Sequence, residues 1–252
     1  MLSLKNLSFA WPGQPSLFSN LVAEVPAGHV LGIVGRNGAG KSTLLRLLNG
    51  LLRPETGDVL VRDKSTRNMQ VHEIARYVGT LYQTPEQQLF AARVRDELAF
   101  GPQQLKLSPT EIERRVEQAL IRTHLTYCAD RHPLDLSAAE RRFTALASLL
   151  SMEPEIILLD EPQRGLDHIW RERLQSIIRD ESSSGKVVVL ICHDMDFVDN
   201  NVHSVLSLGG GETPIHPTDA FFNDSEVVRR AHVEPPARLR LARLAQGISG
   251  RV

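Results

Sequence analysis

The chain has 252 residues, 42% of them hydrophobic and 23% charged, and carries a net charge of −1. That length supports one large domain or two modest lobes with a real core. The near-neutral balance and an aromatic content of 5% argue against a nucleic-acid partner, which needs a basic face and stacking rings.

Two cysteines, Cys128 and Cys192, stand far apart and form no metal-type pair, so a reduced, cytosolic compartment is expected. No charged-then-apolar signal peptide opens the chain. The longest apolar run among the strand-like segments is Val187 to Cys192. It falls far short of the roughly 20 residues that span a bilayer. If the protein serves a membrane process, other chains must supply the spanning helices.

Leu2 to Phe9 alternates partly and reads as a strand, broken by Trp11-Pro12-Gly13-Gln14-Pro15. Pro26-Ala27-Gly28 predicts a turn, and Val30 to Val34 a buried strand. Gly35-Arg36-Asn37-Gly38-Ala39-Gly40-Lys41-Ser42 follows, which is G-x-x-x-x-G-K-S, the phosphate-binding P-loop. Thr43 to Leu48 leads out as a helix, so the loop has its required strand-to-helix setting. Such a loop turns backbone N–H groups inward and aims a helix N-terminus at phosphate. Gly38 and Gly40 permit backbone angles that a Cβ hinders. Lys41 is expected to reach the β- and γ-phosphates, and the Ser42 hydroxyl to sit on Mg²⁺. The chain is therefore expected to bind a nucleoside triphosphate. Arg53 to Gly57 closes the helix, and Asp58 to Val61 reads as another strand.

Tyr77 to Tyr82 is strand-like and ends at Gln83, whose amide has the reach to contact both metal and water. From about residue 84 to 153 the pattern is mostly helical. Ser108-Pro109-Thr110-Glu111 and Ser137-Ala138-Ala139-Glu140 are two capping boxes, each opening a helix. Strand–helix alternation then resumes. Ile156 to Leu159 is a short continuous apolar run, as in buried parallel strands, and it ends on Asp160 and Glu161. Carboxyl ends of parallel strands are where ligands bind. Asp160 is expected to hold Mg²⁺, and Glu161 to orient and deprotonate the attacking water. A second apolar strand, Val187 to Ile191, leads to Cys192-His193-Asp194, where His193 is suited to contact the γ-phosphate.

These residues together resemble the nucleotide-binding subunits of ABC transporters. The resemblance runs over about residues 1–215. It implies an α/β fold: a P-loop NTPase core of mainly parallel sheet, an antiparallel β lobe and a helical insert. The P-loop from Gly35 through Ser42 and Thr43, the Q-loop glutamine Gln83, the magnesium strand ending at Asp160 and Glu161, the D-loop Gly165-Leu166-Asp167 and the switch histidine His193 all match in order. Trp11 stands where the family places the ring that stacks on adenine. Gln83 to Phe90 and Asp96 to Pro102 resemble the energy-coupling-factor type, which takes up cobalt and vitamins. The resemblance implies ATP and Mg²⁺ as ligands and a place at the cytoplasmic face of the membrane. It also implies a second ATPase subunit, a transmembrane coupling subunit and a small substrate-binding membrane subunit. Gln87, Gln88, Leu89 and Phe90 are then the expected contact with the coupling subunit, unless Leu89 and Phe90 are simply core of the insert.

The family signature Leu-Ser-Gly-Gly-Gln here reads Leu136-Ser137-Ala138-Ala139-Glu140. In the family this segment binds the γ-phosphate of ATP held by the opposite subunit. Two added methyl groups stand where phosphate must approach, and the negative charge of Glu140 is unfavourable there if it points that way; the capping box gives it another job, turned back onto the Ser137 N–H. A heterodimer of unlike ATPases is favoured, with a homodimer still open. Gln163-Arg164 and Asn200 to His203 also depart from the family, which usually has a threonine and an aspartate-arginine pair there. Two other readings stand beside the transporter: a soluble ABC ATPase, and a regulatory subunit with an impaired signature.

Beyond about residue 216 the chain reads as a basic tail, with Arg229, Arg230, Arg238, Arg240, Arg243 and Arg251. Ala237, Leu241, Leu244, Ala245 and Ile248 fall on one helical face. The readings are a helix packed on its own domain, a dimerisation helix or a membrane-surface contact, with packing favoured.

Overall fold

A computed structural model of the chain describes residues 1–209 and 215–249, with the backbone alone for Arg243 and 246–249. Arg251 and the side chains of Arg243 and Ile248 lie outside the described residues. In chain order the strands are β1 (Leu2–Ala10), β2 (Ser16–Val25), β3 (Val30–Gly35), β4 (Thr56–Val61), β5 (Lys64–Ser65), β6 (Val78–Leu81), β7 (Ile156–Asp160), β8 (Val187–Ile191), β9 (Ser204–Leu208) and β10 (Ile215–Pro217). The α-helices are α1 (Lys41–Leu48), α2 (Val71–Ile74), α3 (Val94–Gln104), α4 (Pro109–Thr123), α5 (Ala138–Ser151), α6 (His168–Ser183), α7 (Met195–Asn201), α8 (Thr218–Asn223), α9 (Ser225–Arg230) and α10 (Ala237–Ser249).

Two sheets carry the fold. The first is antiparallel in the order β2-β1-β4-β5, and the second runs β10-β9-β3-β8-β7-β6. Only the β10–β9 pairing in the second sheet is antiparallel. Every residue of β3, β7 and β8 is buried. Their side chains still alternate between two cores, as the pleat requires. Leu31, Ile33, Leu158, Val189 and Ile191 face α1 and the antiparallel lobe. Val30, Val34, Ile157, Leu159, Val188 and Leu190 face the opposite core with Phe143, Leu174 and Phe197.

The strand order explains how distant motifs meet. β3, β8, β7 and β6 are neighbours and parallel. At about 4.8 Å between strands, their carboxyl ends bring the P-loop, His193, the Asp160-Glu161 pair and Gln83 to one edge.

The insert differs in detail from the sequence reading. Residues 85–88 form a 3₁₀ turn, and the regular helices start only at Val94. The capping box at Ser108 is half formed: Ser108 Oγ accepts from Glu111 N at 3.3 Å. The Glu111 carboxylate is taken instead by Arg114 and Arg115, one turn on, at 2.6 and 2.8 Å. Two guanidiniums outcompete one backbone N–H. The second box is complete, with the Ser137 and Glu140 side chains each bonded to the other's backbone.

The region beyond residue 216 also differs. β10 completes the second sheet, and Phe221 and Phe222 are 0% exposed within the main core, with Val228 and Ala231 beside them. The segment to about residue 231 is therefore domain core rather than an appended tail. The expectation that α10 packs on its domain through Leu241 and Leu244 is corrected: these are 65% and 63% exposed. Leu239 of α10 packs against the core.

One buried ion cluster ties the insert to the core. Glu181 of α6 is 1% exposed, pairs with Arg122 of α4, and receives Lys186 Nζ at 2.7 Å. A buried carboxylate stripped of a partner is costly. Lys186→Met should destabilise the protein by about 2 kcal/mol, held to that figure by the remaining Arg122. Denaturant unfolding checks this, and an unchanged midpoint would reject the assignment.

Candidate active site

The P-loop closes onto α1 through Gly40, which caps the helix at φ 93° and supplies no side chain to its first turn. Gly38 also lies at positive φ, 81°. The first N–H groups of α1 are thus left for an anion, which a helix N-terminus favours. Lys41 is 7% exposed, and its Nζ donates to the carbonyls of Gly35 at 2.7 Å and Arg36 at 3.0 Å. Burial holds its ammonium below the ordinary lysine value, against the pull of Glu161 and Asp160.

A cavity of about 410 Å³ opens in front of this loop. Trp11, Asn37, Gly38, Gly40, Lys41, Ser42, Thr43, Gln83, Asp160, Glu161 and His193 all line it. Trp11 is half-buried at the mouth and stands edge-on to Phe9, with ring centroids 5.2 Å apart. Ser42 Oγ donates to Asp160 Oδ2 at 3.1 Å. Burial raises the Asp160 carboxyl above its usual range, opposed by that hydrogen bond. A hydroxyl and a carboxylate at this spacing are hard oxygen donors, and they fit Mg²⁺ with nucleotide phosphates as the remaining ligands.

Glu161 sits beside them, 7% exposed, with its backbone at φ 52°. A non-glycine residue in that region is strained and persists only where its surroundings hold it. Here the Glu161 N–H donates to Ile191 O at 3.0 Å, and the Arg164 N–H to Glu161 O at 3.2 Å. Gln163 Nε2 donates to Glu161 Oε2 at 2.9 Å. His193 Nε2 lies 3.4 Å from Oε1, which has no hydrogen-bond partner among the described residues.

The signature lies elsewhere on the surface. Ser137 and Ala138 are exposed, and Ala139 and Glu140 are partly so. Glu140 Oε2 accepts from Ser137 N at 2.6 Å, and Glu140 N donates to Ser137 Oγ at 3.3 Å. Tyr127 donates its hydroxyl to the other Glu140 oxygen. Hydrogen bonds from Tyr127 and Ser137 hold the Glu140 carboxyl below its usual range, so it stays ionised. Asp167 caps α6, accepting from Trp170 N at 3.0 Å.

The ABC transporter family model matches residues 18–164. The chain belongs to the ABC transporter family. It is 32% identical to the energy-coupling factor transporter ATP-binding protein EcfA of Methanocaldococcus jannaschii, over 94% of this chain and 86% of that one. It is 40% identical to EcfA2 of Symbiobacterium thermophilum, over 81% and 70%. The structure of cbiO1 from Clostridium perfringens, part of the ABC transporter complex cbiONQ, superposes with a TM-score of 0.83 at 28% identity, covering 98% of each chain. A dimeric ATP-binding cassette in a post-hydrolysis state with ADP and Pi shares the fold at 24% identity and a TM-score of 0.74, covering 86% of this chain and 99% of that one.

This ABC ATPase is thus an ATP-binding, Mg²⁺-dependent ATP hydrolase of the energy-coupling-factor type. Its described residues contain no helix long and apolar enough to cross a membrane. Three features of the site escaped the sequence reading. Gln14 and Leu17 join Trp11 in lining the cavity. Arg142 of α5 donates to the carbonyls of Glu161, Pro162 and Arg164, joining the signature helix to the loop after β7. Gln163 touches Glu161, and only its departure from the family threonine marked it. Of the four coupling candidates, Gln87 and Gln88 line a second cavity together with Ser42, Gln83 and Asp160. Gln87 is exposed, Gln88 and Leu89 are half-buried, and Phe90 is 66% exposed. The core alternative thus fails for Phe90, while Leu89 packs against the core.

Proposed function

We propose that this ATPase powers a multi-subunit importer of a micronutrient, a metal ion or a vitamin, from the cytoplasmic face of the membrane. It works there with a second, unlike ATPase subunit, a transmembrane coupling subunit and a small substrate-binding membrane subunit. The observation that carries this reading is a groove of about 360 Å³ between the core and the insert. It is lined by Gln88, Leu89, Phe90, Phe100 and Gly101 among others, and it is mainly apolar. Phe90 and Phe100 meet edge-on at 4.8 Å, with 66% and 43% of their surfaces exposed. Exposed aromatics rimming an apolar groove mark an interaction surface. Gln87 to Phe90 follow directly on Gln83, which lines the nucleotide cavity, so one short segment joins both places.

For the nucleotide site we assign the following roles, which the shared cavity and the family resemblance support. Trp11 stacks the base. The N–H groups of residues 35–43 and the Lys41 ammonium hold the phosphates. Ser42 and Asp160, with Gln83, hold Mg²⁺, which when bound neutralises the phosphate oxygens. Glu161 takes the proton of the attacking water, and His193 contacts the γ-phosphate. Asp167 serves the face presented to the second subunit. Ser137, Ala138, Ala139 and Glu140 face the partner's nucleotide as a weakened signature.

Affinity purification from native membranes, with every co-purifying chain identified, tests the assembly. Recovery of two unlike ATPase chains with two membrane chains is expected. Phe90→Asp should lower that recovery by about tenfold while leaving binding of an ATP analogue unchanged. Recovery with no membrane chain, or undiminished recovery of Phe90→Asp, would count against the importer reading.

A further inference from the structure

We infer that Gln163 is a positioning residue for hydrolysis, holding the Glu161 carboxylate by one oxygen so that the base keeps a single orientation. The inference rests on the reading of Glu161 as the base. Both side chains are buried, Gln163 at 4% and Glu161 at 7% exposure. The amide Nε2 donates to Oε2 at 2.9 Å. That bond makes the two carboxylate oxygens unlike. Oε2 is tied down, while Oε1 is buried, has no hydrogen-bond partner among the described residues and lies 3.4 Å from His193 Nε2.

The contact depends on local backbone geometry. Residues 161 and 163 are two apart, and an extended chain points them the same way but spaces them well apart. The left-handed turn at Glu161, φ 52°, folds the two side chains together. The 161–164 hydrogen bond and Arg142 hold that turn from the other side. The family threonine at this position has a hydroxyl one carbon from its backbone, too short to make the same bridge. Glutamine, with its donor at the end of a longer stem, reaches. Gln163 Oε1 is itself buried without a partner among the described residues, so nothing but packing and the Glu161 bond orients the amide. A freely turning carboxylate would spend part of its time with neither oxygen aimed at the water. Loss of a hydrogen bond to an ionised partner then appears in the chemical step rather than in binding.

The test uses the full chain assembled with its partner subunits. Gln163→Met keeps length and bulk without a donor, and Gln163→Glu keeps length but sets carboxylate against carboxylate. Each should lower kcat by about tenfold or more. In Gln163→Met, KM for ATP, affinity for a non-hydrolysable ATP analogue and melting temperature should stay near those of the parent; in Gln163→Glu the buried carboxylate pair should also lower the melting temperature, with analogue binding kept. A purely structural role would lower the melting temperature and weaken analogue binding together, which would overturn the inference. So would a normal kcat in either variant. Glu161→Gln, measured alongside, separates the two levels. If it retains turnover, the base assignment has failed and the positioning role falls with it. If it is inactive while Gln163→Met is normal, only the positioning role fails.

Discussion

Glu161→Gln should lower ATP turnover by about a thousandfold while leaving ATP binding intact. The amide has the shape of the carboxylate but accepts no proton at neutral pH, and a positioned general base contributes 10²- to 10⁴-fold in round terms, ~10³ here. Binding should survive because the phosphate-facing groups are elsewhere: the N-terminus of α1 and Lys41, whose Nζ sits on Gly35 O at 2.7 Å. The strained backbone at Glu161, φ 52°, is held by the Ile191 carbonyl through a main-chain bond that the substitution does not touch. The change therefore falls on the chemical step. A further consequence is that nucleotide stays on the protein, so the ATP-bound, paired state of two subunits should accumulate. Phosphate release and equilibrium binding of ATP measured on the same preparation decide the matter. A loss smaller than tenfold would remove Glu161 from the role of base.

Much of this site was legible before any coordinates because its motifs are local and its strands are short and wholly apolar. Gly35 to Ser42 carries its own loop geometry, and Val187 to Ile191 reads as a short strand buried on both faces. The convergence of Gln83, Asp160 and His193 was legible only through the family pattern. It depends on the order β3-β8-β7-β6, which no spacing along the chain encodes. What stayed hidden has one kind of cause: partners chosen in three dimensions. Glu111 reads as a capping residue until Arg114 and Arg115 are seen to take it. Gln163 reads only as a departure from the family threonine until the turn at Glu161 is seen to bring its amide onto the Glu161 carboxylate. The arginines after residue 228 drew the eye to a basic tail, while Phe221 and Phe222, a stronger signal by burial energy, were already inside the domain. Leu241 and Leu244 keep the helical spacing of a packed face yet remain exposed, since periodicity reports a face and not what covers it.

The second large effect lies at the signature. Restoring Ala138→Gly, Ala139→Gly and Glu140→Gln together should raise hydrolysis at the partner's P-loop by on the order of a hundredfold. Catalysis at that site needs free N–H donors and an unopposed helix dipole at the start of α5. This chain commits both to itself. The Ser137 N–H is held by Glu140 Oε2 at 2.6 Å, the Glu140 N–H by Ser137 Oγ at 3.3 Å, and Tyr127 anchors the carboxylate from outside. The bound carboxylate already supplies the negative charge that the helix end would otherwise draw from a γ-phosphate. Glutamine removes the charge while still reaching the Ser137 N–H, and the glycines remove two methyl groups from the approach. The cost is two alanines replaced by glycines in the first turn of α5, about 1 kcal/mol each at most, which should appear as a lower melting temperature. The measurement needs the heterodimer with this chain's own Glu161→Gln in place, so that remaining turnover comes from the partner's P-loop alone. A rise there, with a fall in melting temperature, is expected because the substitutions that open the phosphate's approach also weaken the start of the helix. Turnover unchanged by the three substitutions would mean that the signature does not limit the partner site, and the two sites would have to be treated as equivalent.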